Sequence, residues 1–356
     1  MRMLIIATMT LTPEATMKRR LGSLMLALVA IAVAAVAVSG QAPGPPPWAY
    51  GFSEAGTEPA APPCSQDSKP MDCAHSGEPH TATDVMYTVP ESDLTFNEAQ
   101  VYDNYGPADW NPEDHPTMPD IVAHGRESDK LRACGVCHYP SGMGKPENAS
   151  PAGLPAAYVL QQLEAFRNGT RRSAEPRKAN YNEMIQIARH MTEAEMQEVA
   201  EYYASIERRQ WIRVVETDTV PKTGHTQNGL FYPLPGDETE PLGNRIIEVP
   251  EAPELTLTLR APHSGFVAYV PVGSVARGEE LVTTGGGTTL QCAVCHGPDL
   301  QGFAGTPGIV DLPASYIVRQ LYDMQAGTRE SALMAPVVEN LDIDDMIAIT
   351  AYLVSR

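Results

Sequence analysis

Two short stretches bear the reactive side chains of this sequence: Cys-Gly-Val-Cys-His at 134–138 and Cys-Ala-Val-Cys-His at 292–296. Two cysteines three apart at a helix start present both sulfurs on one side. In that position Cys134 and Cys137, and likewise Cys292 and Cys295, can form thioethers with the two vinyl groups of a haem. The imidazole that follows, His138 or His296, then meets the iron as proximal ligand. Two covalent haem c groups are therefore expected. Three rival chemistries fit less well. A thioredoxin-like pair needs a strand–helix–strand context that neither motif has. A four-cysteine zinc site draws its pairs from roughly 15–20 residues apart, not from separate repeats. A chance match is hard to sustain twice at equivalent points of a repeat.

The sequence does contain itself twice. Tyr158 follows Cys134 by 24 residues, and Tyr316 follows Cys292 by the same 24. Leu154-Pro155-Ala156 falls on Leu312-Pro313-Ala314, Gln162-Leu163 on Gln320-Leu321, and Gly169-Thr170-Arg171 on Gly327-Thr328-Arg329. Eight extra residues then enter the first copy before Met184 meets Met334, Met196 meets Met346, and Tyr202 meets Tyr352. Upstream, Val122–Gly125 resembles Val275–Gly278. Each copy spans about 85–90 residues, near the small end of domain size.

The elements that position the motifs read as helices. YVLQQLEAF and YIVRQLYDM set apolar residues on one helical face, and Gly169 and Gly327 stop them. Thr192 to Glu195 forms a capping box for the last helix of the first copy, and Asp342 caps that of the second. Between the copies WIRVVETDTV, RIIEVP and GFVAYVPV are β-rich, and LTLTLR at 255–260 alternates as a half-buried strand should. The expected fold class is mainly α, with this organisation: signal peptide 1–40, Pro-rich N-terminal extension 41–117, helical domain 118–208, β-rich insert 209–272 and helical domain 273–356. The first half of the extension has linker composition. Its later part carries Tyr102, Tyr105 and Trp110, which suggests that it packs on something.

The repeats resemble class I cytochrome c domains, and the tandem pair resembles the diheme cytochromes of the c-four type. The resemblance rests on CxVCH, on Y-x-x-x-Q-L followed by G-T-R, and on the methionine segment before an acidic-capped C-terminal helix. It covers residues 118–208 and 273–356. It departs from that type in the long extension, the insert, and Tyr139 where the second copy has Gly297.

A thioether distal ligand is usual in an electron carrier. Position in the repeat prunes the fifteen methionines. Met143, Met191 and Met324 have no methionine counterpart and read as core or surface residues. Met196 and Met346 sit on the apolar stripe of the last helix. Met184 and Met334 lie before it, at the position matching the family's ligand segment, and are the expected axial partners. Arg171 and Arg329 could pair with haem propionates or sit solvated at helix ends. Tyr158 and Tyr316 could line the haem pockets or pack. The other seven histidines show no ligand spacing.

Met17–Arg20 followed by an apolar run from Leu21 to Val38 reads as a secretory signal, with an uncleaved membrane anchor as the alternative. Export suits haem attachment and an oxidising compartment, in which Cys64 and Cys73 should close a local disulfide. The formal net charge of −19 excludes nucleic acid as a partner. The expected function is an exported, periplasmic diheme cytochrome that passes single electrons between redox partner proteins and performs no bond chemistry of its own. A periplasmic dehydrogenase and a terminal oxidase are candidate partners. The alternatives are an electron-accepting subunit of such a dehydrogenase and a diheme peroxidase.

Overall fold

A computed structural model describes residues 44–53, 61–75 and 83–356. The signal segment 1–40 lies outside the described residues, as do 41–43, 54–60 and 76–82. Part of the extension departs from the linker expectation. Pro47 fixes the first turn of a 3-10 helix, Pro47–Tyr50, and Trp48, Ala49, Tyr50 and Phe52 are buried in the largest hydrophobic core. Proline-rich composition disfavours regular helix and strand, yet it leaves aromatic side chains free to bury. Farther on, Pro70–Cys73 forms a second 3-10 turn, and Cys73 is bonded to Cys64. Helix α1, Glu98–Val101, opens on an Asn97–Gln100 capping box. Trp110 is buried with Val89 and Val101, and its indole N–H donates to Leu259 O at 2.8 Å.

The first repeat begins with α2, Asp120–Ala123, then α3, Cys134–His138, which is the first motif itself. Next come α4, Ala156–Asn168, α5, Ala179–His190, and α6, Glu193–Ala204. Gly169 caps α4 with a left-handed φ of 76°, and the Thr192–Glu195 capping box opens α6. Val159, Leu163 and Phe166 from α4 meet Met196, Val199 and Tyr203 from α6 in one core.

The insert contributes β1, Ile212–Glu216, β2, Thr219–Pro221, β3, Thr223–His225, β4, Phe231–Pro233, β5, Thr239–Pro241, and β6, Ile247–Pro250. The stretch expected to be the strand LTLTLR is not one. Its start lies in α7, Pro253–Leu257, and the chain then turns through Arg260 at φ 52°. Pro253 sits in the first helical turn, where its fixed φ and missing N–H favour helix. Leu255 and Leu259 both pack in the small core with Val89, Val101 and Trp110. Strand β7, Phe266–Val270, completes a three-stranded sheet in the order β1-β7-β6, with β1 parallel and β6 antiparallel to β7. This sheet packs into the core of the second repeat.

That repeat runs through α8, Ser274–Thr284, α9, Ala293–His296, the two-residue strands β8, Gly302–Phe303, and β9, Thr306–Pro307, then α10, Ala314–Gln325, α11, Ala335–Val338, and α12, Ile343–Val354. Helices α8 and α12 cross at Gly278, where a Cβ would collide with the carbonyl of Ala348. Only glycine allows that approach. Glu248 of β6 is buried and accepts the backbone N–H groups of Ala314 and Ser315 at 3.0 and 3.1 Å, so the insert caps α10. No helix among the described residues is long and apolar enough to cross a membrane.

Candidate haem centres

Helix α3, with Ala133 at its N-cap, presents Cys134 and Cys137 to a cavity of about 190 Å³. His138, Tyr158, Arg171 and Met184 line the same cavity, so six of the residues singled out for the first centre come together, joined by Tyr316 of the second repeat. His138 Nδ1 lies 2.9 Å from Ala149 O. A carbonyl can only accept, so Nδ1 carries the proton and Nε2 keeps its lone pair for a metal. Burial pushes the Cys134 thiol up to about 12 and raises that of Cys137. A nucleophilic redox cysteine needs the opposite shift. The turn after the motif needs a positive φ: Gly297 has 84°, and Tyr139 adopts 60° despite its side chain.

The second motif is built the same way locally. His296 Nδ1 donates to Pro307 O at 2.8 Å, and burial raises the Cys292 thiol to about 11. Met334 sits at the N-cap of α11 and, with Cys292, packs against the larger core. Cys295 and Val294 are exposed. The two methionines thus differ in setting, because Met184 lies inside the twelve-residue α5. Met196 and Met346 are buried within α6 and α12, and Met143 is likewise a core residue. Met191, read as core or surface, is buried and also lines the first cavity.

Arg171 and Arg329 are not solvated helix ends. Both are buried, and each reaches across to the other repeat. Arg171 donates to Tyr316 Oη at 3.1 Å and to Gln320 Oε1 at 3.0 Å; Arg329 donates to Tyr158 Oη at 2.6 Å and to Gln162 Oε1 at 3.0 Å. The backbones pair too, with Arg172 N donating to Thr328 O at 2.8 Å and Glu330 N to Thr170 O at 2.9 Å. Equivalent residues exchange equivalent bonds, so the repeats meet about a local two-fold axis. Burial opposes ionisation of Tyr316, but Arg171 and Arg329 outweigh it and hold its phenol below the usual value. Asp323, fully buried, ties the junction to the extension by accepting from Tyr50 Oη at 2.7 Å and Tyr181 Oη at 3.1 Å.

The cavity also fits the acidic edge of a haem. Arg319, from α10 of the second repeat, is 1% exposed and lines the first cavity. Its Nε and that of Arg171 have no hydrogen-bond partner, although buried N–H groups nearly always have one. Two propionates would satisfy them. The remaining wall combines apolar Leu154, Val159, Leu163 and Phe166 with charged groups that include Lys145, Glu147 and Glu183. Among the described residues, no cluster of three His, Cys, Asp or Glu side chains could hold a bare metal ion.

Sequence reasoning missed Ala149, Pro307 and Arg319. The first two were within reach, since each lies eleven residues after its histidine and they are equivalent in the repeat. Arg319 was not, because its counterpart is Gln161 and its partner cavity belongs to the other repeat.

The cytochrome c family model matches residues 122–207, the first repeat. Over 88 residues the chain is 32% identical to cytochrome c-554(548) of Halomonas halodenitrificans, covering 98% of that protein and 24% of this one. This chain belongs to the cytochrome c family, whose domain binds haem c covalently. Over 92 residues, 25% of the chain, it is 41% identical to the thiosulfate dehydrogenase electron acceptor of Stutzerimonas stutzeri. It spans only 40% of that relative's length. A solved structure of thiosulfate dehydrogenase from Marichromatium purpuratum superposes with a TM-score of 0.42 at 23% identity, covering 66% of this chain and 39% of that one.

Proposed function

We propose that this chain is an exported diheme c-type cytochrome that passes single electrons through two His/Met-ligated haems. The observation that carries the reading is the matched construction of the two motifs, each with a histidine whose Nδ1 is fixed by a carbonyl eleven residues on. Bound haem supplies a one-electron iron couple. The chain supplies everything else. Cys134 and Cys137 would tether the first haem and Cys292 and Cys295 the second. His138 and His296 would serve as proximal ligands, and Met184 and Met334 would close the distal sides. Arg171 and Arg329, with Tyr158 and Tyr316, fix one repeat against the other and so hold two centres at a constant separation. The location proposed is the periplasm, with other redox proteins as donor and acceptor.

A second reading makes the chain the acceptor of a dehydrogenase, such as one that oxidises thiosulfate. It is favoured by the likeness of a 92-residue stretch of the chain to an acceptor of that kind and by the extension and insert, which exceed what two haem domains need. A diheme peroxidase is disfavoured because a methionine is available to close each iron.

Stopped-flow oxidation across an ionic-strength series tests the carrier reading. A chain of formal charge −19 should react fastest with small cationic oxidants at low salt and slow as salt is added, with anionic oxidants showing the reverse. Rapid turnover of hydrogen peroxide would contradict the proposal and promote the peroxidase. Slow exchange with every small oxidant at all salt concentrations would favour the acceptor subunit.

A further inference from the structure

The first repeat has two features that the second lacks. One is the eight-residue insertion that precedes Met184; the other is the disulfide-closed loop of the extension. The structure brings them together. The turn Pro70–Cys73 packs directly on α5, the helix that carries Met184. Gln186 is 2% exposed, and its Nε2 donates to Ser65 O at 2.9 Å and lies 3.7 Å from Cys64 Sγ. Residues two apart on a helix point roughly 200° from each other around its axis. Met184 thus faces the cavity while Gln186 faces the loop, and α5 is held between the two. In the second repeat Met334 precedes a four-residue helix.

We propose that the Cys64–Cys73 loop is the brace that sets Met184 in the first centre, with Gln186 as its positioning residue. This rests on Met184 being the distal ligand. Cys73 is fully buried and Cys64 is exposed, so the cross-link ties the outer end of the loop to the body of the repeat. The loop's other ties are weak by comparison. Lys130 Nζ meets Asp72 at 2.6 Å with both side chains largely exposed, and Lys69 Nζ donates to Ser128 O at 2.5 Å. Exposed ion pairs contribute little, whereas a disulfide restricts the conformations open to the released loop. From the other side, α5 is tied by Glu183 to Arg132 at 3.1 Å, one residue from Met184. Without the brace, α5 stays held at its ends, through Tyr181 to Asp323 and through the Ala188 and His190 carbonyls to Arg167 and Arg126, while the turn that carries Met184 loses its polar tie on the loop side and the sulfur of Met184 loses its fixed approach.

The test uses the haem-loaded protein with Cys64→Ser/Cys73→Ser and, separately, Gln186→Leu, which leaves the cross-link in place. Three quantities are read: cyanide binding to each ferric haem, the far-red methionine–iron charge-transfer band, and hydrogen exchange of the α5 amides. The double variant should bind cyanide about tenfold faster at one haem, equivalent to about 1.4 kcal/mol, and leave the other unchanged. Part of the band should be lost, and α5 should exchange faster. Gln186→Leu should shift all three the same way by less. Wild-type cyanide rates at both haems together with wild-type α5 exchange in the double variant would overturn the brace. Met184→Ala separates the two claims. If that variant keeps the full band, the ligand assignment is wrong, and α5 exchange then decides the brace alone.

Discussion

At the scale of single residues, Arg319 concentrates the electrostatics of the first centre. Its guanidinium donates to Ala49 O at 2.6 Å and Pro146 O at 2.7 Å, yet its Nε stays without a partner beside the cavity. A buried cation near a haem favours the reduced state, which carries one more negative charge. Arg319→Gln should therefore lower the potential of one haem by on the order of 50 mV, a little over 1 kcal/mol, and leave the other nearly unchanged. Spectroelectrochemical titration checks this. A rise, or an equal shift in both haems, would contradict the placement of Arg319 at the first centre. The Cys-x-x-Cys-His pattern was legible from sequence because the haem attachment proposed for it demands that spacing. Arg319 was not, since a side chain that serves the neighbouring repeat leaves no local pattern.

Elements were legible where periodicity and caps agreed. The box Thr192–Glu195 and the stop at Gly169 marked α6 and α4 correctly because both devices act within one turn. LTLTLR failed because Pro253 starts a short helix that takes in the first three residues of the alternating string. Residues 47–52 failed for another reason: burial of Trp48 and Tyr50 depends on a core assembled from distant sequence. The same long-range logic acts at Gly278, whose need for a bare Cα is set by Ala348, 70 residues on. Gly278→Ala should destabilise the second repeat by about 1–3 kcal/mol, the usual cost of overpacking. Thermal unfolding followed at the haem absorbance should show an earlier transition. An unchanged midpoint would mean that α8 and α12 separate at little cost.

At the scale of the whole molecule, duplication was legible and its geometry was not. Matching Gly169-Thr170-Arg171 with Gly327-Thr328-Arg329 identified equivalent positions. That those positions meet each other, in an antiparallel bridge between Arg171 and Arg329, depends on how α4 and α10 pack. The extension and insert then lock the pair, through Tyr50 on Asp323 and Glu248 on the start of α10. The function proposed above requires two haems in one chain, each held by its own motif. The most direct test is the haem content of the purified protein, measured by pyridine haemochrome and intact mass, beside Cys137→Ala and Cys295→Ala. Two haems per chain in the wild type, with reduced loading in each variant, is the predicted result. A single haem in the wild type, or full loading in either variant, would contradict it.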